Sequence, residues 1–155
     1  MSGFAIRPMV KADEPFIFKA WLEGYWDAGA GGAVLIMRKS EWLPRWHLLI
    51  EIILVNPRTC TVVAHVGDKP DSLLGFACGN ADCLHWVYVK QPWRHFGYTY
   101  NDDGSVKERK PGIGSALIGV VGGKSLCQVS HWPGPELNYY SELWRYAPEL
   151  LRRYA

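Results

Sequence analysis

Between residues 59 and 90 three runs rich in β-branched and aromatic residues, TCTVVAHV, SLLGFACGN and DCLHWVYVK, follow one another with only short Gly, Pro, Asn and Asp signals between them. Parallel neighbours need a crossover of about a dozen residues or more, and these connections are too short to hold one. The runs therefore predict an antiparallel meander, and the rest of the chain has to be arranged around that sheet.

Upstream, FAIRPMV (residues 4–10) alternates as a strand does, and Asp13 is placed to cap a helix on which Ile17, Trp21 and Tyr25 recur at helical spacing. GAGGAV (29–34) reads as flexible glycine-rich linkage. Ser40 then offers a cap for EWLPRWHLLIEIILVN, where Trp42, Trp46, Leu49, Ile50 and Ile53 share one face and Pro57 marks the stop.

Downstream, residues 90–111 carry no sustained period, but FGYTYNDDGSVKER sets an Asp-Gly between β-prone flanks and predicts a small exposed hairpin. A helix starting near Gly114 carries SALIGVV and ends at Gly122-Gly123. SLCQVSHW reads as a buried strand, and PELNYYSELWRYAPELLRRYA as a helix broken at Pro148. The order β, α, α, β, β, β, long loop, α, β, α predicts a mixed α/β (α+β) fold, an antiparallel first half joined to a βαβ crossover. One domain over 1–155 is expected, with an inserted loop or hairpin at about 91–108.

Composition narrows the function. With 48% apolar residues the chain can build a core, and 17 basic against 15 acidic residues make a field too weak to predict nucleic-acid binding by itself. No signal-peptide core and no run near the roughly 20 apolar residues of a membrane span is present, so a soluble, cytoplasmic protein without a membrane partner is expected. Cys60, Cys78, Cys83 and Cys127 lie in apolar runs without a C-x-x-C pair and read as buried thiols, with no metal site. The eight tryptophans and eight tyrosines fill a core or line a cleft.

The stretch ERKPGIGSALIGVVGG (108–123) brings a glycine-bearing turn to the start of a helix, where unpaired N–H groups at the positive end of the helix dipole suit an anion. It is neither G-x-x-x-x-G-K-[ST] nor G-x-G-x-x-G, since residues 112–117 read GIGSAL. It does match R-x-x-G-x-G, as RKPGIG from Arg109 to Gly114, and here the sequence resembles the GNAT superfamily of acyl-coenzyme A N-acyltransferases over roughly residues 4–146. The resemblance implies a GNAT-like mixed sheet and transfer of an acetyl or other acyl group from acetyl-CoA to an amine acceptor, small or macromolecular. It also implies that Val87 and Val89 on the fourth strand, with Arg109, Lys110, Gly112, Ile113, Gly114 and Ser115, bind coenzyme A, the pyrophosphate lying on the loop's backbone amides. Lys107 and Lys110 are candidates for the adenosine phosphate.

Two features depart from that family. The long insert separates the fourth strand from the motif, placing Arg94 three residues before Gly97 as a second candidate, and the final strands look truncated. The acceptor wall that those strands commonly form is then left to the insert, the Trp-rich helix or a second subunit, so a homodimer is one expectation.

Acyl transfer needs a base for the amine and an acid for the leaving thiolate. His85, in a strand leading toward the loop and sharing a face with Val87 and Val89, is the candidate base; its CLHWVYVK run also resembles the fourth strand of serotonin N-acetyltransferases. Tyr139 and Tyr140, with Tyr146 as a third possibility, stand near where the family places an acidic tyrosine. Glu14, Glu23 and Asp27, on or beside the first helix, are candidates to attract a cationic amine. Competing readings are a phage-type nucleic-acid base modification enzyme on the same fold, using KERK, Arg94 and nearby aromatics, and a non-catalytic binding module that keeps the fold.

Overall fold

The computed structural model describes residues 3–94, 98–109, 112–122, 128–131 and 145–154. Strand β1 (Phe4–Pro8) leads through a 3₁₀ turn to helices α1 (Glu14–Asp27) and α2 (Lys39–Val55). The meander follows as β2 (Cys60–Val66), β3 (Lys69–Gly79) and β4 (Leu84–Val89). A two-stranded ribbon, β5 (Tyr98–Tyr100) and β6 (Val106–Arg109), precedes α3 (Ile113–Val121), β7 (Gln128–Val129), β8 (Arg145–Tyr146) and a 3₁₀ segment, Pro148–Tyr154.

The main sheet runs β1-β2-β3-β4-β7-β8. Its first four strands are antiparallel neighbours, whereas β7 lies parallel to β4 and β8 parallel to β7. This mixed α/β arrangement, a meander joined to a βαβ crossover, is what the sequence predicts.

Alternation along the strands divides the core. Val63, Phe76, Cys78 and Trp86 face α1 and α2, which bury Ile17, Trp21, Tyr25, Trp42, Ile50 and Ile53 against them. Val62, Ala64, Ala77 and Leu84 face α3, which returns Ile113, Leu117 and Val121. Each such aliphatic or aromatic side chain contributes about 1.5–3 kcal/mol relative to exposure, enough to hold three helices on two faces. Gly75 of β3 permits close strand approach, because a Cβ there would run into the carbonyl of Tyr88.

Several local expectations are corrected. The Asp13 carboxylate does not cap α1 through a side-chain bond; Arg7 holds it with bonds of 2.7 and 2.9 Å and the Val10 N–H donates to it at 2.8 Å, charge-assisted partners that outcompete a helix amide. Ser40 lies inside α2, and the N-cap is Arg38, whose N–H donates to Glu41. GAGGAV forms a 3₁₀ segment (Ala30–Leu35) entered through consecutive left-handed residues, Gly29 to Gly32, rather than a loose linker. At the C-terminus, the predicted helix gives way to β8 at Arg145–Tyr146, because pairing with β7 supplies the backbone partners that a helix would have supplied. Residues 135–144 of that prediction lie outside the described residues.

Candidate active site

Where β4 and β7 meet, the ladder is short. Leu84 and Val129 are the described register pair, and the Ser130 N–H donates to the Leu84 carbonyl at 3.1 Å. From Trp86 to Val89 no described residue continues the ladder on that side of β4. The described ladder thus stops short of the C-terminal end of β4, the end of parallel strands at which open α/β sheets hold ligands.

At that end of β4 stands the start of α3, with Gly114 next to Val89. Gly112 is its N-cap and makes no side-chain cap bond, which leaves first-turn N–H groups unpaired by the helix itself. Ile113 is buried and anchors the turn, and Ser115 is exposed. A Cβ on Gly114 would make ordinary contact with Val89 Cγ2 at 3.7 Å, so packing does not require glycine at this position.

The structure thus packs Val87 and Val89 in one apolar layer with Ile113, sets Gly114 beside Val89, and carries Gly112 and Ser115 on the same first turn of α3. Arg109 ends β6 opposite Tyr98; its side chain, and all of Lys110, lie outside the described residues, as do Tyr139 and Tyr140. Lys107 is exposed on the ribbon. Arg94 is engaged elsewhere, donating from Nε to the Val89 carbonyl at 2.8 Å and lying over the Tyr88 ring. Glu23 and Asp27 are exposed, Glu14 is near Lys11 at 3.8 Å, and Tyr146 is half-buried on β8.

His85 does not share a face with Val87 and Val89. Cys78 pairs with Trp86 and Gly79 with Leu84, so β4 spends one extra residue there, and that residue is His85. The bulge re-aims its ring toward Tyr154, on the side of α1 and α2. The imidazole is 1% exposed, with Nδ1 2.6 Å from Ser130 Oγ and Nε2 2.8 Å from Tyr154 Oη. Ser130 Oγ lies in turn 2.8 Å from Nδ1 of buried His131. Burial pushes His85 down to about 4 and His131 well below the ordinary histidine range, with the nearby His85 adding to the effect. Both rings are neutral at pH 7, so the group can pass protons along hydrogen bonds but does not hold a charge.

Sequence reasoning missed Ser130, His131 and Tyr154. The Ser-His pair at the end of a buried strand was the one available signal; nothing local marks Tyr154.

The fold is similar to that of two N-acetyltransferases. One is the GCN5-related glucosamine N-acetyltransferase region of a fungal multi-domain GH3 β-N-acetylglucosaminidase, at 12% identity and a TM-score of 0.47 over 77% of this chain and 12% of that one. The other is spermidine N-acetyltransferase from Vibrio cholerae, in complex with CoA and spermine, at 12% identity and a TM-score of 0.37 over 61% of this chain and 55% of that one. The match spans about half of the second chain and a small part of the first. No family model and no curated protein matches the sequence.

Proposed function

We propose that the chain is an acyl-CoA N-acyltransferase acting on an amine. The observation that carries this reading is the start of α3, without a side-chain cap, set beside Val89 at the C-terminal end of β4. The residues present fit coenzyme A: an extended, amide-bearing arm matches the β4 edge at Trp86–Tyr88, along which no described strand pairs on that side, and a pyrophosphate matches first-turn amides. Gly114, which packing leaves free to be larger, keeps that approach open. Arg109 and Lys110 would add positive charge.

Bound acetyl-CoA would supply the activated acyl group. The chain's own part is to align the thioester along β4, to exclude water with the aromatic layer of α1 and α2, and to remove the amine proton.

Coenzyme A at about 100 times its Kd should stabilise the protein by about 2.7 kcal/mol, a rise of roughly 5–10 °C in Tm for a chain of this size. The Gly112→Asp variant separates fold from site. Gly112 has extended backbone, φ −91° and ψ −167°, so aspartate fits there and caps α3 while placing negative charge against the pyrophosphate. A stable Gly112→Asp protein that still gains stability from coenzyme A would refute this location, and no shift in the wild type at millimolar acetyl-CoA would refute the function.

A further inference from the structure

At the end of β4 away from the start of α3, the C-terminal cap of α2, the β3–β4 turn and the last 3₁₀ segment meet around a cavity of about 700 Å³ lined by Asn56, Pro57, Arg58, Asn80 and Tyr154. Strand β4, Leu84–Val89, runs between the two places, about 20 Å of extended chain. The volume is that of a pocket for a small organic molecule rather than for a single ion.

The lining offers donors. Asn56 Oδ1 accepts from the Arg58 N–H at 2.9 Å, and Asn80 Oδ1 accepts from the N–H groups of Asp82 and Cys83 at 2.8 and 3.0 Å. These bonds fix which end of each amide is oxygen, so the nitrogen ends are left to face other partners. Asn80 Nδ2 donates one proton to Tyr154 Oη at 3.4 Å and keeps a second, since a carboxamide carries two. On its other side Tyr154 Oη lies 2.8 Å from His85 Nε2, which holds the phenol ring in place as a wall.

Arg58 supplies the charge. It is exposed, and its side chain forms no ion pair among the described residues. Asp82, in the same turn as Asn80, is exposed and is not part of the lining. The C-terminal end of α2 brings a partial negative charge of about half an elementary unit, less than the whole unit on the guanidinium, so the lining is positive on balance. A guanidinium fork beside two amide donors matches the oxygens of a carboxylate or phosphate. The rings of Pro57 and Tyr154 match a carbon skeleton that carries one.

We propose that this cavity binds a small organic oxyanion, a carboxylate or a phosphomonoester, gripped by Arg58 and the amides of Asn56 and Asn80. The site is separate from the one read for acyl-CoA, and the inference does not rest on that reading. An occupant bridges the end of α2, the β3–β4 turn and the C-terminal segment, and so favours the folded chain by mass action.

Titration of ¹⁵N-labelled protein with succinate and with glycerol 3-phosphate, each beside its uncharged counterpart, succinamide or glycerol, tests the site through the side-chain amide signals of Asn56 and Asn80. At least one anion should move these signals saturably with a millimolar Kd, the counterparts should not, and the tighter anion tells carboxylate from phosphate. Arg58→Gln should weaken binding about tenfold or more while the backbone spectrum stays native, and Arg58→Lys should recover part of the loss. Saturating coenzyme A should leave the Kd unchanged. No saturable shift with either anion, equal shifts from the uncharged counterparts, or an unchanged Kd in folded Arg58→Gln overturns the proposal. Displacement of the anion by coenzyme A overturns it as well, since the cavity would then belong to the acyl-CoA site. Failure of coenzyme A to bind anywhere sinks the acyltransferase reading and leaves this site standing.

Discussion

Tyr154 and His85 stand 69 positions apart in sequence, yet Tyr154 Oη lies 2.8 Å from His85 Nε2. That bond fastens the C-terminal 3₁₀ segment to the bulge of β4, and it exists because both ring nitrogens of a fully buried imidazole need partners. The tether makes the core sensitive to acid. His85 is lowered to about 4 by burial against an unfolded value of 6.5, so the unfolded chain binds more protons between these limits. Stability is then complete above about pH 6.5 and is lost as pH falls toward 4, by about 3 kcal/mol for this group. Denaturant titrations at pH 7 and pH 4.5 measure the loss. His85→Asn should make the profile shallower, buried His131 keeping its own loss of the same sign, and an equal slope in that variant would place the sensitivity elsewhere.

Arg7 and Asp13 bind through two parallel bonds, with Asp13 only 4% exposed. The Arg7 bond holds the Asp13 carboxyl below its ordinary range, and the Val10 N–H helps. Asp13→Ala leaves a guanidinium without its partner and the Val10 amide uncapped, and should cost about 3 kcal/mol. A loss below about 1 kcal/mol by urea titration would show that β1 and α1 are joined by packing alone.

Two glycines predict opposite responses to alanine. At Gly75 a Cβ would strike the Tyr88 carbonyl, so Gly75→Ala should force β3 from β4 and cost about 2 kcal/mol. At Gly119, inside α3, an added Cβ meets nothing within 4 Å, and Gly119→Ala should stabilise by about 0.5–1 kcal/mol. Thermal melts of the pair read the contrast directly, and the same sign for both would contradict this packing.

The ribbon β5–β6 pairs with itself and forms its own sheet. Replacing residues 98–108 by a short Gly-Ser link should leave Tm within a few degrees of wild type, since exposed elements contribute little to the core. A drop of more than about 10 °C would show that the ribbon supports the main sheet.

The sequence made the meander legible because Val, Leu and aromatic runs broken by Gly-Asp and Asn-Ala-Asp leave one arrangement of short connections. The ribbon was legible from Asp103-Gly104, and α1 from Ile17, Trp21 and Tyr25. Caps were less so: Asp13 and Ser40 carry the right side chains, but Arg7 claims one and the helix begins before the other. The facing of His85 was not legible, since a bulge depends on how Gly79 and Leu84 pair across strands. The line from Tyr154 to His131 joins residues from three separate segments, and no spacing within any of them encodes it.

Because the ribbon closes on itself, the chain leaves the main sheet after β4 and returns for α3 without asking any strand to shift. Such a graft lets the segment between β4 and α3 be lengthened, shortened or rewritten in charge, at a tip that already carries Asp102 and Asp103, while the scaffold beneath stays the same.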